Sequence, residues 1–66
     1  MQLTINGEPR TFATTITIAE LLEVMDLKGK YVAVEHNRNI VSYTKYHEVT
    51  LADGDQLEIV TLVGGG

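Results

Sequence analysis

Apolar and polar residues alternate near the start of the chain, which is the pattern of a half-buried β-strand. Leu3 and Ile5 are separated by polar residues, and Asn6-Gly7 follows, a pair that accepts the positive φ angles of a two-residue hairpin turn. We therefore predict a first strand ending at Ile5 and a second strand over about Glu8 to Thr14. Because Pro9 cannot donate a ladder hydrogen bond, the second strand should lie at a sheet edge, or Pro9 should face outward.

The next segment changes to the period of an amphipathic α-helix. Thr17 and Glu20 have the spacing of a capping box, in which each side chain accepts a hydrogen bond from the other residue's backbone N–H. We predict a helix from Ile18 to Leu27, with Gly29 as the C′ residue that ends it. Its apolar face carries Ile18, Leu21, Leu22 and Met25 at i, i+3, i+4 and i+7.

The second half of the chain returns to short strands separated by turn-forming residues. The predicted elements are a strand over Tyr31 to Glu35, a turn at 37–39, a short strand at Ile40-Val41, a loop or single helical turn over Ser42 to His47, renewed alternation at Val49 and Leu51, a turn over 52–55 and a last strand over Gln56 to Val63. The order predicts an α+β domain, in which a mixed sheet of four to five strands has one helix on one face.

The last strand has two apolar faces of opposite parity. Leu57 and Ile59 should face the helix, whereas Val60 and Leu62 should face outward. An exposed apolar pair is a candidate docking surface for a partner protein. The alternatives are a bulge that reverses the parity, or a strand that is buried on both faces.

Composition and charge restrict the classes of partner. The net charge of the 66 residues is −4 and the five basic residues are scattered, which argues against nucleic acid as the main partner. An acidic surface suits a protein partner with a basic surface, or the charge only aids solubility. We find no signal-peptide pattern and no apolar stretch of membrane-spanning length, so we expect a cytoplasmic protein with no membrane partner.

The sequence offers weak candidates for metal or cofactor binding. With no cysteine, His36 and His47 are too few for the three or four ligands of a zinc site. Asp53 and Asp55 flank a glycine, but the remaining ligands of a calcium loop are missing, so turn chemistry explains them better. No phosphate-binding loop is present. We expect this chain to bind no metal and no cofactor of its own.

The sequence finishes in Val63-Gly64-Gly65-Gly66. Glycine lacks a Cβ and adopts almost any φ and ψ, so this run predicts a thin thread that could enter a narrow active site on another protein. We expect residues 1–63 to form the domain and residues 64–66 to form a flexible tail. The alternative is an ordinary frayed terminus or a linker remnant.

Over its full length the chain resembles the ThiS-type sulfur carriers of thiamine biosynthesis, prokaryotic relatives of ubiquitin with the β-grasp fold. The features that carry the resemblance are the strand into Ile5-Asn6-Gly7, the single helix, Val32-Ala33-Val34-Glu35, Ile40-Val41, Asp53-Gly54-Asp55, Glu58-Ile59-Val60 and the terminal glycines. The resemblance implies that Gly66 is the modified residue and Gly65 the second member of the diglycine, with Gly64 extending the thread.

The resemblance also implies a reaction and partners. An adenylyltransferase related to the ubiquitin-activating enzymes (ThiF-like), using its own ATP and Mg²⁺, would adenylate the Gly66 carboxylate. Sulfur from a donor such as a cysteine desulfurase would then give a thiocarboxylate, which a ThiG-like thiazole synthase would use. This chain would be a carrier and not an enzyme. The alternatives are a carrier for molybdopterin or cysteine synthesis, a ubiquitin-like modifier of lysines, and an interaction module with an inert tail.

Overall fold

A computed structural model describes residues 1–27 and 31–62 of the chain. Within these residues, five strands and one α-helix follow one another in the predicted order. They are β1 (Gln2–Ile5), β2 (Glu8–Thr11), α1 (Ile18–Val24), β3 (Val32–His36), β4 (Asn39–Val41) and β5 (Gln56–Thr61), with a single 3₁₀ turn (Tyr43–Lys45) between β4 and β5.

The five strands form one mixed sheet in the order β2-β1-β5-β3-β4. The last strand in sequence is therefore the central strand in space. It runs parallel to β1, with Thr4 opposite Gln56 and Ile5 opposite Leu57, and antiparallel to β3. Parallel neighbours require a crossover connection, and α1 lies within it. The predicted mixed sheet with one helix is confirmed.

The first hairpin forms as predicted and places β2 at an edge of the sheet. Asn6 and Gly7 have φ angles of 52° and 82°, as a two-residue turn of the favoured hand requires. The expectation from Pro9 of an edge strand is confirmed. However, β2 ends at Thr11 and not at Thr14, because its neighbour β1 begins at Gln2 and the pairing finishes with the Phe12 N–H donating to the Met1 carbonyl.

The capping box at the start of α1 is present. The Glu20 N–H donates to Thr17 Oγ1 at 3.1 Å, and the Thr17 N–H donates to Glu20 Oε1 at 2.8 Å. The helix covers Ile18–Val24 with Met25 as its C-cap, so the predicted extension to Leu27 is wrong.

The helix ends in a Schellman motif built on an aspartate. Asp26 has a φ of 61°. Its N–H donates to the Glu23 carbonyl at 3.0 Å, and the Leu27 N–H donates to the Leu22 carbonyl at 2.7 Å. Asp26 is therefore the C′ residue. The prediction that Gly29 has this role is wrong, and Gly29 itself lies outside the described residues.

A single apolar core joins α1 to the inner face of the sheet. It contains Leu3, Ile5, Ile18, Leu21, Leu22, Val34, Leu51, Leu57 and Ile59. Leu51 enters this core although its segment does not form the strand that the alternation at Val49 and Leu51 suggests. The segment has an isolated bridge between Thr50 and Thr17, which is flanked by hydrogen bonds from the Leu51 N–H to the Ile16 carbonyl and from the Ile18 N–H to the Val49 carbonyl. Along residues 1–27 and 31–62, no helix has the length and apolar character needed to cross a bilayer.

Candidate functional site

The parity predicted for the last strand is confirmed. Leu57 and Ile59 are buried in the core, while Val60 and Leu62 are 55% and 52% exposed. The two alternatives, a bulge and burial on both faces, are wrong. The five residue pairs between β3 and β5 keep one register, and in the described part of the chain the β5 residues that point away from α1 are exposed.

Val60 and Leu62 share their exposed face with residues of β3 and the position before it. Ala33 lies directly opposite Val60. The Leu62 N–H donates to the Tyr31 carbonyl at 2.8 Å, which brings the 79%-exposed Tyr31 opposite Leu62. Tyr31, Val60 and Leu62 form an apolar surface that we name the outer patch. Val60 and Leu62 of this patch are among the last described residues before the terminal glycines.

An acidic pair adjoins the outer patch on the same two strands. Glu35 of β3 lies directly opposite Glu58 of β5, and both are exposed. Like charges that are directly opposite on neighbouring strands destabilise a sheet. Both carboxylates and Arg38 line a shallow depression of about 330 Å³ on this face. With two negative side chains and one positive, this depression favours a cationic group over a phosphate.

The beginning of β5 is fixed by a contact that the sequence reasoning missed. His36 Nε2, at the end of β3, lies 2.6 Å from Asp55 Oδ2. Burial raises the pKa of Asp55, but hydrogen bonds from the Ala52 N–H, His36 and Asn37, together with the charge of His36, lower it by more. The net effect is a pKa of Asp55 below its ordinary value. No local pattern signals this contact, because the two residues are brought together only by the pairing of β3 with β5.

The far part of β5 is fixed by a side chain from the first hairpin. The Ile59 N–H donates to Asn6 Oδ1 at 2.7 Å, and Asn6 Nδ2 donates to the Ile59 carbonyl at 3.1 Å. The Asn6 amide thus pairs with β5 as a strand residue would. Asn6 is recognisable from sequence as a turn residue, but its second role requires the parallel placement of β5 beside β1.

The remaining predicted site residues divide between described and undescribed parts of the chain. Gly64, Gly65 and Gly66 lie outside the described residues. His36 is engaged with Asp55, and within 1–27 and 31–62 no three His, Asp or Glu side chains gather as metal ligands would. The described part of the candidate site is therefore the outer patch and the acidic pair beside it.

Comparison with known proteins identifies the family. A family model, the ThiS family, matches residues 3–66. The chain belongs to the ThiS family. The match includes the outer patch and the glycine tail. The resemblance to ThiS-type sulfur carriers that the sequence suggested is thereby confirmed.

This ThiS-family chain is also similar to individual relatives and to a solved structure. It is 50% identical over 52 residues to the sulfur carrier protein ThiS of Bacillus subtilis, covering 79% of each chain. It is 46% identical over 66 residues to a thiazole synthase of Paramagnetospirillum magneticum, of which it spans only 20%. The crystal structure of ThiS from Geobacter metallireducens matches with a TM-score of 0.85 and 33% identity over all of both chains. The ubiquitin-like β-grasp fold expected for this ThiS-family chain is confirmed.

Proposed function

We propose that this ThiS-family chain carries sulfur as a thiocarboxylate on Gly66 and delivers it for synthesis of the thiazole ring of thiamine. The observation that carries the proposal is the family match over residues 3–66, which includes both the β-grasp domain and the terminal glycines. In this proposal the chain is a carrier and the substrate of an adenylyltransferase.

The chemistry requires activation of the carboxylate by a partner. A carboxylate is a poor electrophile because displacement of its oxygen would expel oxide. Attack of a Gly66 carboxylate oxygen on the α-phosphorus of ATP releases pyrophosphate and forms an acyl-adenylate. The terminal sulfur of a persulfide then attacks the carbonyl carbon, and AMP leaves. A second thiol of the partner or donor attacks the donor sulfur of the resulting acyl disulfide, so that a disulfide forms on the donor and the Gly66 thiocarboxylate is released. A ThiF-like partner supplies ATP, Mg²⁺ and the groups that stabilise the developing charge, and a cysteine desulfurase is a suitable source of the persulfide.

The described surface supports recognition by such a partner. The outer patch of Tyr31, Val60 and Leu62 lies at the carboxyl end of the central strand, so a protein docked on it is close to the start of the tail. Tyrosine is enriched among the few residues that dominate binding energy at interfaces, and the contacts around such a residue exclude water from it. The adjacent Glu35 and Glu58 favour a partner that brings a lysine or arginine next to an apolar surface.

The proposed delivery to a thiazole synthase has support from the relatives. In thiazole synthases of Paramagnetospirillum magneticum and Magnetococcus marinus, a segment amounting to 20% of the protein is 46% and 38% identical to the whole of this chain. Each of these proteins, which are named as thiazole synthases, thus contains a segment similar to this chain. We infer that a ThiG-like synthase is the acceptor of the sulfur.

Intact-mass spectrometry of the protein made together with a ThiF-like enzyme and a cysteine desulfurase tests the proposal. We expect the mass of one sulfur in place of one oxygen, located at Gly66 by fragmentation. The control is a semisynthetic chain in which the Gly66 carboxylate is replaced by an amide, which should gain no sulfur and keep its thermal unfolding temperature. Conjugates with lysines of other proteins would indicate a ubiquitin-like modifier instead. An unchanged mass with each activating enzyme tried would contradict the carrier role, and transfer only to molybdopterin or cysteine synthesis would contradict the thiazole assignment.

A further inference from the structure

The central strand extends beyond its neighbour β1. The parallel pairing of β1 with β5 finishes where Ile5 lies opposite Leu57, with the Asn6 N–H donating to the Leu57 carbonyl at 2.9 Å. The chain then turns through Asn6-Gly7 into β2, while β5 continues to Thr61. Along one edge, β5 therefore extends beyond the last residue of β1 that pairs with it.

The Asn6 amide covers the next residue along this edge. It accepts from the Ile59 N–H and donates to the Ile59 carbonyl, which satisfies both backbone groups of Ile59. A side chain can replace a missing strand for one residue only. Among residues 1–27 and 31–62, the edge is therefore closed at Ile59 and open further along β5.

Thr61 is the next residue whose backbone points toward this edge. Backbone groups of successive residues alternate between the two sides of a strand. The Leu62 N–H points to β3, where it donates to the Tyr31 carbonyl, so the N–H and C=O of Thr61 point away from β3. Neither group has a hydrogen-bond partner within residues 1–27 and 31–62. An unpaired strand edge of this kind is a template for another strand.

We propose that this edge of β5 receives an extended main-chain segment of the adenylating enzyme, which pairs with the N–H and C=O of Thr61. The inference rests on the proposed function, because Thr61 lies shortly before the glycines that must enter the partner's active site. In strand addition, the added segment binds through main-chain hydrogen bonds, so it does not need side chains that fit those of β5. It also fixes the direction in which the chain continues from β5 into the partner.

A partner enzyme suits this edge better than a second copy of the chain. One residue with two free backbone groups offers far less buried area than the roughly 1,200 Å² of a stable interface. An enzyme docked on the outer patch already has that area and needs the edge only for alignment. The outer patch and the edge both belong to the carboxyl end of β5, so one partner can contact both.

The test replaces Thr61 by proline, which removes the N–H and adds a ring where the incoming strand would lie. The matched control is Thr11→Pro on edge strand β2. There the Phe12 N–H donates inward to Met1 and Thr11 pairs with Gln2, so the Thr11 N–H points away from the sheet. We expect Thr61→Pro to weaken binding to the ThiF-like enzyme by about tenfold, while Thr11→Pro stays within about twofold of the natural chain.

A second variant separates hydrogen bonding from the shape of proline. A semisynthetic chain with an ester in place of the amide between Val60 and Thr61 loses the N–H and keeps the extended backbone. We expect it also to bind more weakly, with an unchanged unfolding temperature. Full affinity and a natural kcat/KM for adenylation in both Thr61 variants would overturn strand addition but leave the carrier role intact. Concentration-dependent dimers lost in Thr61→Pro would overturn it in favour of a second copy of the chain. Failure of the natural chain to gain sulfur would instead contradict the proposed function.

Discussion

His36 Nε2 lies 2.6 Å from Asp55 Oδ2, and this contact joins the end of β3 to the turn that precedes β5. The same carboxylate accepts from the Ala52 N–H at 2.9 Å and from Asn37 Nδ2 at 3.2 Å. The Asp55 side chain is only 15% exposed. One aspartate therefore fixes the turn, the β3–β4 hairpin and the start of the central strand relative to one another.

Replacing Asp55 by asparagine should destabilise the fold by about 2 kcal/mol near pH 7, because hydrogen bonds to a charged acceptor are lost. The pKa of Asp55 is lowered in the folded state. The ionised Asp55 carboxylate therefore contributes to the free energy of unfolding above the unfolded-state pKa of about 3.9, and this contribution is lost as the pH falls through the lower folded-state pKa. Urea unfolding at a series of pH values measures this. The difference between the natural chain and Asp55→Asn should shrink below about pH 4.

The matched control for Asp55→Asn is Glu8→Gln, which neutralises an exposed carboxylate on edge strand β2. It should change the free energy of unfolding by less than about 0.5 kcal/mol at pH 7. Equal stability of Asp55→Asn and the natural chain at neutral pH would contradict the role given to the His36–Asp55 contact.

Asn6→Gly should lower the free energy of unfolding by about 2 kcal/mol, because two hydrogen bonds to Ile59 are lost. Glycine is the informative replacement, since Asn6 has a φ of 52° and alanine would add backbone strain. Chemical unfolding measures the loss, and hydrogen exchange should show faster exchange of the Ile59 amide. The control Asn39→Ala removes one exposed amide contact to the Asn37 carbonyl and should cost less than about 0.5 kcal/mol. Unchanged protection at Ile59 in Asn6→Gly would contradict the edge-covering role.

The elements that the sequence predicted best depend on local chemistry. The capping box of Thr17 and Glu20, the Asn6-Gly7 turn and the outward parity of Val60 and Leu62 each follow from residues near one another in the chain. The physical causes of these features are unpaired N–H groups at the helix start, positive φ angles in the turn and the two-residue period of the strand. Each of these causes acts over a few residues. They therefore remain the same whichever way the sheet is assembled.

The features that the sequence did not predict depend on sheet order. The contacts of His36 with Asp55 and of Asn6 with Ile59, and the opposition of Glu35 and Glu58, all need β5 placed between β1 and β3. The predicted end of the helix at Leu27 is wrong for another reason. Glycine usually occupies the C′ position, but here Asp26 adopts the left-handed conformation and the helix stops earlier.

Asp26→Gly should stabilise the protein by about 1 kcal/mol, because glycine adopts the φ of 61° without the steric cost of a Cβ. Thermal and urea unfolding measure the gain. Asp26→Ala is the control, since it removes the carboxylate but keeps the Cβ, and it should give no gain. Stabilisation of the same size by both variants would show that the carboxylate, and not the backbone conformation, is responsible.

Val60→Asp and Leu62→Asp should each weaken binding to the activating enzyme by roughly tenfold or more, since a charge would be buried in an apolar contact. Both side chains are about half exposed, so the free energy of unfolding should change little. The control is Val24→Asp, a 64%-exposed valine on α1, on the other side of the sheet from the outer patch. It introduces the same change on the helix side of the sheet, away from the outer patch, and we expect natural affinity. Calorimetry of binding and adenylation kinetics measure these effects. Equal affinities for all three variants would contradict docking on the outer patch, whereas a loss confined to Val60→Asp and Leu62→Asp would place the partner on the face that leads into the glycines.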